Sequence, residues 1–390
     1  MPIQPFFQKD GFQGPGTHAF IVGVSDYTNL PEPGVLGGND GLLGLKKLNS
    51  PALSAWRVYE WLLKNETDLP QRLASVHLLL APSSKEKDAE PALRGEFISP
   101  VWDNFAKAVK AWRLLACSDP QNVTFFYFSG HGAQFRRENV VMLMQDFGDE
   151  AGAPLNNAVE LSNIVNGMAP GAPPPSHTVA RTQLYFVDAC RGSELADVAR
   201  GEEDVPSVFR EVIGKDDRNR PILFATVDGE LAIGRAGKVS YFCEALLQAL
   251  DTACDFSRDE GATSVWPVTI ESVRYSLQSQ FLQLKLTQKP FLQNGSTTDL
   301  EIRLLKEPPT YDLIITLDPE ACVGTTELQI LNADDVPVAT FPVPGCDYPY
   351  RVSLPMGVYD IVATGPSKKR VKKVVILNQR QQNPVRILIP

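Results

Sequence analysis

Between residue 17 and about residue 305, strand-length runs of consecutive apolar residues alternate with stretches whose apolar residues recur every three to four positions. The strand-like runs are HAFIVGV (18–24), VHLLL (76–80), VTFFYF (123–128), VVMLM (140–144), LYFV (184–187) and ILFATV (222–227). A strand that is apolar at every position, and not at every second one, has to be covered on both faces, and parallel strands need crossovers of helix length. The alternation therefore predicts an α/β fold with a mostly parallel sheet sandwiched by helices. Ser50–Pro51 and Ser99–Pro100 each read as an N-cap followed by a proline at the first helical position. Behind them, Ala52, Ala55, Trp56, Tyr59, Leu62 and Leu63 fall on one helical face, and so do Trp102, Phe105, Ala106, Val109 and Trp112. Further helices are predicted near 239–250 and 268–284.

After EPP (307–309) the pattern changes to short strand-like runs near 311–317, 326–332, 350–354, 358–363, 371–377 and 385–389, with no helical period. This predicts an α/β domain over 1–308 and an all-β module over 309–390, a sandwich of immunoglobulin-like or transthyretin-like type. The Pro/Gly-rich APGAPPPS (169–176) and the segment 193–220, with eight acidic and five basic residues, read as exposed loops. KKRVKK (368–373) reads as a solvated strand end or turn.

Charge and cysteine usage narrow the function classes. With 37 Lys+Arg against 46 Asp+Glu, the net charge is -9, whereas sequence-independent nucleic-acid binding needs a basic surface. No apolar stretch reaches membrane-spanning length, and the first residues lack the basic start and apolar run of a secretory signal. The expectation is a cytoplasmic protein with no membrane or nucleic-acid partner. Six cysteines are scattered without a CxxC pair, so neither a disulfide framework nor a thiolate zinc cage is indicated, and no metal or cofactor is expected. Only four histidines, at 18, 77, 131 and 177, are available as a general base.

Two predicted strands end in unusual chemistry. VTFFYF runs into Ser129-Gly130-His131-Gly132, and LYFV runs into Asp188-Ala189-Cys190-Arg191-Gly192. In an open parallel sheet the carboxyl ends of the strands form the binding edge, so a His and a Cys just past two such ends can face one crevice. Cys190 as thiolate would attack a carbonyl, with His131 as acid/base, and the N–H groups of Gly132 and Cys190 could meet the oxyanion.

The pair, with HAFIVGVSDY at the first strand, FFYFSGHG around His131, VMLMQD, LYFVDACRG around Cys190, FATVDGELA and VSYFCEALLQAL, resembles the caspase/metacaspase superfamily of cysteine peptidases over about residues 17–304. The resemblance implies a caspase-like fold and a Cys–His dyad that hydrolyses peptide bonds through a thioester. It implies no metal in the chemistry and leaves calcium dependence open. It also implies an oxyanion hole at Gly132 and Cys190, a place near the site for Ser25, Asp26 and Tyr27, and a role in programmed death or defence. Asp188, where eukaryotic caspases have glutamine, is similar to metacaspases that cut after Arg or Lys, and with Ser129 is expected to bind substrate. Ser54 stands where a second pocket carboxylate would be. A contact from Arg191 to Asp188, or a cation from Arg235 in the pocket, is the competing arrangement. The expected partner is a protein or peptide substrate, with a regulatory partner on the β module. Arg200, Arg210, Lys215, Arg218 and Arg220 are candidate self-cleavage positions. A catalytically silent scaffold and a small-molecule amidase are the alternative functions.

Overall fold

The structure is a computed structural model that describes residues 3–33, 42–136, 139–150, 153–170, 178–192, 205–210, 216–227, 232, 234–254, 256–260, 263–293, 300–343, 347–365, 369–376 and 385–389. Two compact units are formed, one from Met1–Leu247 with Phe281–Leu300 and the other from Gln248–Gln280 with Glu301–Pro390.

The first unit contains β1 (Phe7–Gln8), β2 (Thr17–Val24), α1 (Pro51–Lys64), β3 (Leu73–Ala81), α2 (Ser84–Ala89), α3 (Trp102–Ala116), β4 (Val123–Gly130), β5 (Gly132–Arg136), β6 (Asn139–Leu143), β7 (Ala158–Glu160), α4 (Leu161–Gly167), β8 (Thr182–Ala189), β9 (Ile222–Phe224) and most of α5 (Tyr241–Thr252). Its main sheet has the order β1-β3-β2-β4-β8-β9, with β12 (Phe291–Gln293) at the far edge. The pairs β3–β2, β2–β4, β4–β8 and β8–β9 are parallel, and the outermost pairs are antiparallel. Every residue of β2, β3 and β4 is buried, as apolar strands covered on both faces require. Helices α1 and α3 cross on this sheet, and Trp112 of α3 seats its ring against Phe20 and Phe126 while its indole N–H donates to the His18 carbonyl at 3.0 Å.

The run VVMLM lies outside the main sheet. As β6 it joins β5 and β7 in a small antiparallel sheet, because the two residues between β5 and β6 are too few for the helical crossover that a parallel pair needs. The second helix opens at Trp102, with Val101 at the cap position, and Ser99 instead accepts from the Asn104 side chain. At α1 the proline is at the first helical position as predicted, but the Ser50 side chain makes no capping bond. The first-turn N–H groups are met from elsewhere: Ala52 donates to Ser25 Oγ at 3.0 Å and Leu53 to Glu86 Oε1 at 3.0 Å. Glu86 is buried because it is shared: it also accepts from Ser25 Oγ and closes the capping box at the start of α2.

Residues 193–204 and 211–215 of the segment read as an exposed loop lie outside the described residues. The described remainder is mixed: Val205, Val208 and Phe209 are buried, and Asn163 Oδ1 accepts the N–H groups of Val208 and Phe209, whereas Ser207, Arg210 and Asp217 are exposed as expected. Arg218, expected to be an accessible cleavage position, is buried, paired with Asp216 and bonded to the Val165 carbonyl and Gln183. Residues 171–177 of the Pro/Gly-rich stretch and Lys368 of the basic run are also outside the described residues.

The second unit holds β10 (Arg258–Glu260), β11 (Thr263–Thr269), most of α6 (Ile270–Gln283), β13 (Glu301–Leu305), β14 (Thr310–Asp318), β15 (Glu327–Leu331), β16 (Pro337–Phe341), β17 (Tyr350–Pro355), β18 (Gly357–Thr364), β19 (Lys369–Ile376) and β20 (Val385–Leu388). Its strands form sheets of order β10-β11-β13, β17-β14-β20 and β16-β15-β18-β19. The last two share one core, which includes Leu313, Ile315, Leu328, Ile330, Ile361 and Ile387. Their strands alternate buried and exposed positions, the pattern of sheets apolar on one face. The short β16 has no run of its own in the sequence reading, since it opens on a proline and carries mostly exposed residues.

Candidate active site

The β4–β8 ladder sets the geometry. Ser129 pairs with Asp188 and Gly130 with Ala189, an offset of 59 residues that also separates His131 from Cys190. The two chemistry-bearing residues therefore leave neighbouring parallel strands side by side at the carboxyl edge of the sheet. A single cavity is lined by Ser129, Gly130, His131, Asp188 and Cys190, together with Leu48, Ser50, Pro51, Ala232, Gly234 and Ser240.

His131 is held from three directions. Its backbone N–H donates to Tyr27 Oη at 2.7 Å, and the Tyr27 ring lies 4.9 Å from the imidazole. Its Nε2 is 2.7 Å from the Lys46 carbonyl. A carbonyl only accepts, so Nε2 carries the proton and Nδ1 is the basic nitrogen. The strand of chain that presents this carbonyl is itself pinned: Lys47 Nζ is ion-paired with Asp26 at 2.7 Å and Glu32 at 3.1 Å, and the Leu48 N–H donates to the Ser25 carbonyl. Tyr27 thus touches His131 directly, while Ser25 and Asp26 hold the segment that carries the Lys46 carbonyl. The Lys46 carbonyl left no trace in the sequence, because a backbone group has no residue signature.

Cys190 Sγ is partly exposed, receives the Ala232 N–H at 3.3 Å and as a thiol donates to the Ala232 carbonyl at 3.8 Å. At Gly132 a Cβ would lie 2.9 Å from Ala189 Cβ and 3.0 Å from the Cys190 carbonyl oxygen, so only glycine lets the two strand ends come this close. At Gly130 the same atom would meet Tyr27 Oη at 2.8 Å.

Asp188 is buried at the cavity wall. Tyr127 Oη, Ser129 Oγ and Ser240 Oγ all donate to its Oδ2, at 3.0, 3.1 and 2.5 Å. Burial pushes its carboxyl above the usual range, opposed by the hydroxyls of Ser240, Tyr127 and Ser129. The contact from Arg191 is not made: its guanidinium stacks on Phe224 at 4.3 Å and its Nε donates to Gln134. Arg235 supplies no cation to the cavity, being bonded to Glu244 and the Val239 carbonyl and lying over Tyr241. Ser54 does not reach Asp188 directly; its Oγ accepts the Ser240 N–H at 3.0 Å. Sequence reasoning missed Ser240, Ser50 and Ala232, which lie far from both motifs in the chain. Among the described residues no group of three His, Cys, Asp or Glu is placed to hold a metal ion, and no helix is long and apolar enough to cross a membrane.

The family model described as the caspase domain of C14 peptidases matches residues 96–300, more than half of the chain. Among similar solved structures is the crystal structure of caspase-1 from Spodoptera frugiperda, at 14% identity, covering 78% of this chain and 96% of that one with a TM-score of 0.41. No curated protein gives a significant match.

Proposed function

Because the chain belongs to the caspase-domain family of cysteine peptidases, we propose that it is an endopeptidase that cleaves protein substrates after arginine or lysine. Cys190 is the nucleophile and His131 its acid/base partner. In this reading Cys190 Sγ attacks the scissile carbonyl carbon, the carbonyl π electrons move to oxygen, and His131 takes the thiol proton at Nδ1. The oxyanion is met by the N–H groups of Gly132 and Cys190. Collapse breaks the C–N bond, and the proton on His131 goes to the leaving amine. Water, deprotonated by the same histidine, then hydrolyses the thioester and returns Cys190.

The observation that carries the proposal is the sharing of one cavity by His131, Cys190 and the buried carboxylate of Asp188. A carboxylate at this depth leaves an acidic side chain uncompensated and pairs with a basic one. The cellular setting, a cytoplasmic enzyme in programmed death or defence with a regulatory partner on the β module, rests on the family resemblance. A fluorogenic library varied at P1 tests the activity and the charge of the pocket together. Release from Arg and Lys substrates, and none after Asp, is the expected result; cleavage after Asp alone would reverse the specificity, and no cleavage of any member would favour the silent scaffold.

A further inference from the structure

We infer that Ser240 is a specificity-setting positioning residue: fixed at the N-terminus of α5, its hydroxyl locks the Asp188 carboxylate so that Oδ1 alone is presented to the cation of the substrate. The inference rests on the reading of the cavity as a pocket for a basic side chain. Three hydroxyls converge on Oδ2 and none on Oδ1 among the described residues. An oxygen that already takes three donors has no lone pair left for a fourth, so an incoming cation is received at Oδ1.

Ser240 differs from the other two donors in what stands behind it. Its Oγ accepts the Cys243 N–H at 2.9 Å while donating to Asp188, which makes it the cap of the helix that begins at Tyr241. A hydroxyl bonded on one side to the first turn of a helix and on the other to a carboxylate carries the positive end of the helix to that carboxylate. Its backbone is fixed as well, through Ser54 Oγ, which in turn donates to the Ser50 carbonyl at 2.8 Å. Where the family pattern would have a second pocket carboxylate, at position 54, the chain has a row of hydroxyls that ends on Asp188, the carboxylate that lines the cavity among the described residues. The titratable groups facing Asp188 are Tyr127 from β4, Cys243 from α5, and His131 and Cys190 beyond the two strand ends. Among the described residues none of these is a permanent cation, and of the three hydroxyls that favour the ionised Asp188, Ser240 exerts the largest effect.

Two consequences are measurable. A guanidinium cannot fork across both oxygens, so arginine loses its bidentate advantage over lysine, and kcat/KM for the two should agree within about tenfold. Without the Ser240 hydroxyl, Asp188 takes up a proton at higher pH, so binding of basic substrates becomes acid-sensitive. The test is steady-state kinetics of wild type, Ser240→Ala and Ser240→Thr between pH 5 and 8, on peptides with Arg, Lys or the neutral isostere citrulline at P1. Ser240→Ala should raise KM for Arg and Lys about tenfold at pH 6 and less at pH 8, with kcat and the citrulline peptide nearly unchanged, and Ser240→Thr should restore wild-type behaviour. If Ser240→Ala does not fold, Tyr127→Phe and Ser129→Ala remove the other donors and should show the same acid-sensitive KM. Wild type that favours Arg and Lys, with a variant KM profile superimposed on it, would remove the role of Ser240 and leave the basic pocket intact. Wild type that cleaves citrulline or acidic peptides better than basic ones would overturn both.

Discussion

At the residue scale the proposed chemistry needs a nucleophile, a base and a glycine that lets their strand ends meet. Cys190→Ala should abolish peptide cleavage and His131→Ala should lower kcat by about 10²–10⁴-fold, with circular dichroism unchanged because both residues stand past strand ends; full activity in either variant would end the dyad assignment. Gly132→Ala forces a Cβ against Ala189 and the Cys190 carbonyl, so kcat should fall sharply while KM for a short peptide changes little, which single-substrate kinetics would show. Much of this was legible in the sequence. His131, Cys190 and Asp188 carry reactive groups at the ends of apolar strands, where few residue types have a structural reason to be. The partners were not legible, since Lys46 acts through its carbonyl and Ser240 is an ordinary serine until the fold brings it 2.5 Å from Asp188.

At the scale of elements, the strand pair β2–β3 contains a buried pair of histidines. His18 Nδ1 is bonded to Ser75 Oγ at 2.8 Å, and His77 is buried and stacked on Phe20. Burial pushes both down to about 4. A histidine with a depressed folded pKa binds its proton more readily unfolded, so its stability is complete above about pH 6.5 and is lost as pH falls toward 4. Each should cost about 2 kcal/mol at pH 5. Urea midpoints at pH 7.5 and 5 should therefore fall steeply for wild type and about half as steeply for His77→Leu; equal slopes would contradict the buried pair. Elements of this kind were easy to read because a continuous apolar run has few alternatives to a central strand. Their ends were harder. Ser50 and Ser99 both had the residue pattern of a cap, yet the N-terminus of α1 is satisfied by Ser25 and Glu86 from other parts of the chain, and such long-range capping is invisible to a local pattern.

For the whole molecule, the β strands after residue 309 were foreseen from their short alternating runs, whereas the inclusion of 248–280 in the second unit was not, because those residues carry the same helix and strand signals as the rest of the chain. The core around Ile361 belongs to this unit by itself. Ile361→Ala should lower the unit's stability by about 2–4 kcal/mol, measured by urea denaturation, while cleavage of a short peptide is retained; parallel loss of both would tie the β strands to catalysis. In the proposed function Cys190, sharing its cavity with Asp188, acts on substrates that carry a basic residue. The most direct measurement is covalent labelling with peptidyl chloromethyl ketones bearing Arg or Asp at P1, followed by mass-spectrometric mapping of all six cysteines. Rapid modification of Cys190 by the Arg probe, slow labelling by the Asp probe, and none at that position in Cys190→Ala are expected. Preferential labelling by the Asp probe, or equal labelling of another cysteine, would contradict the proposed function.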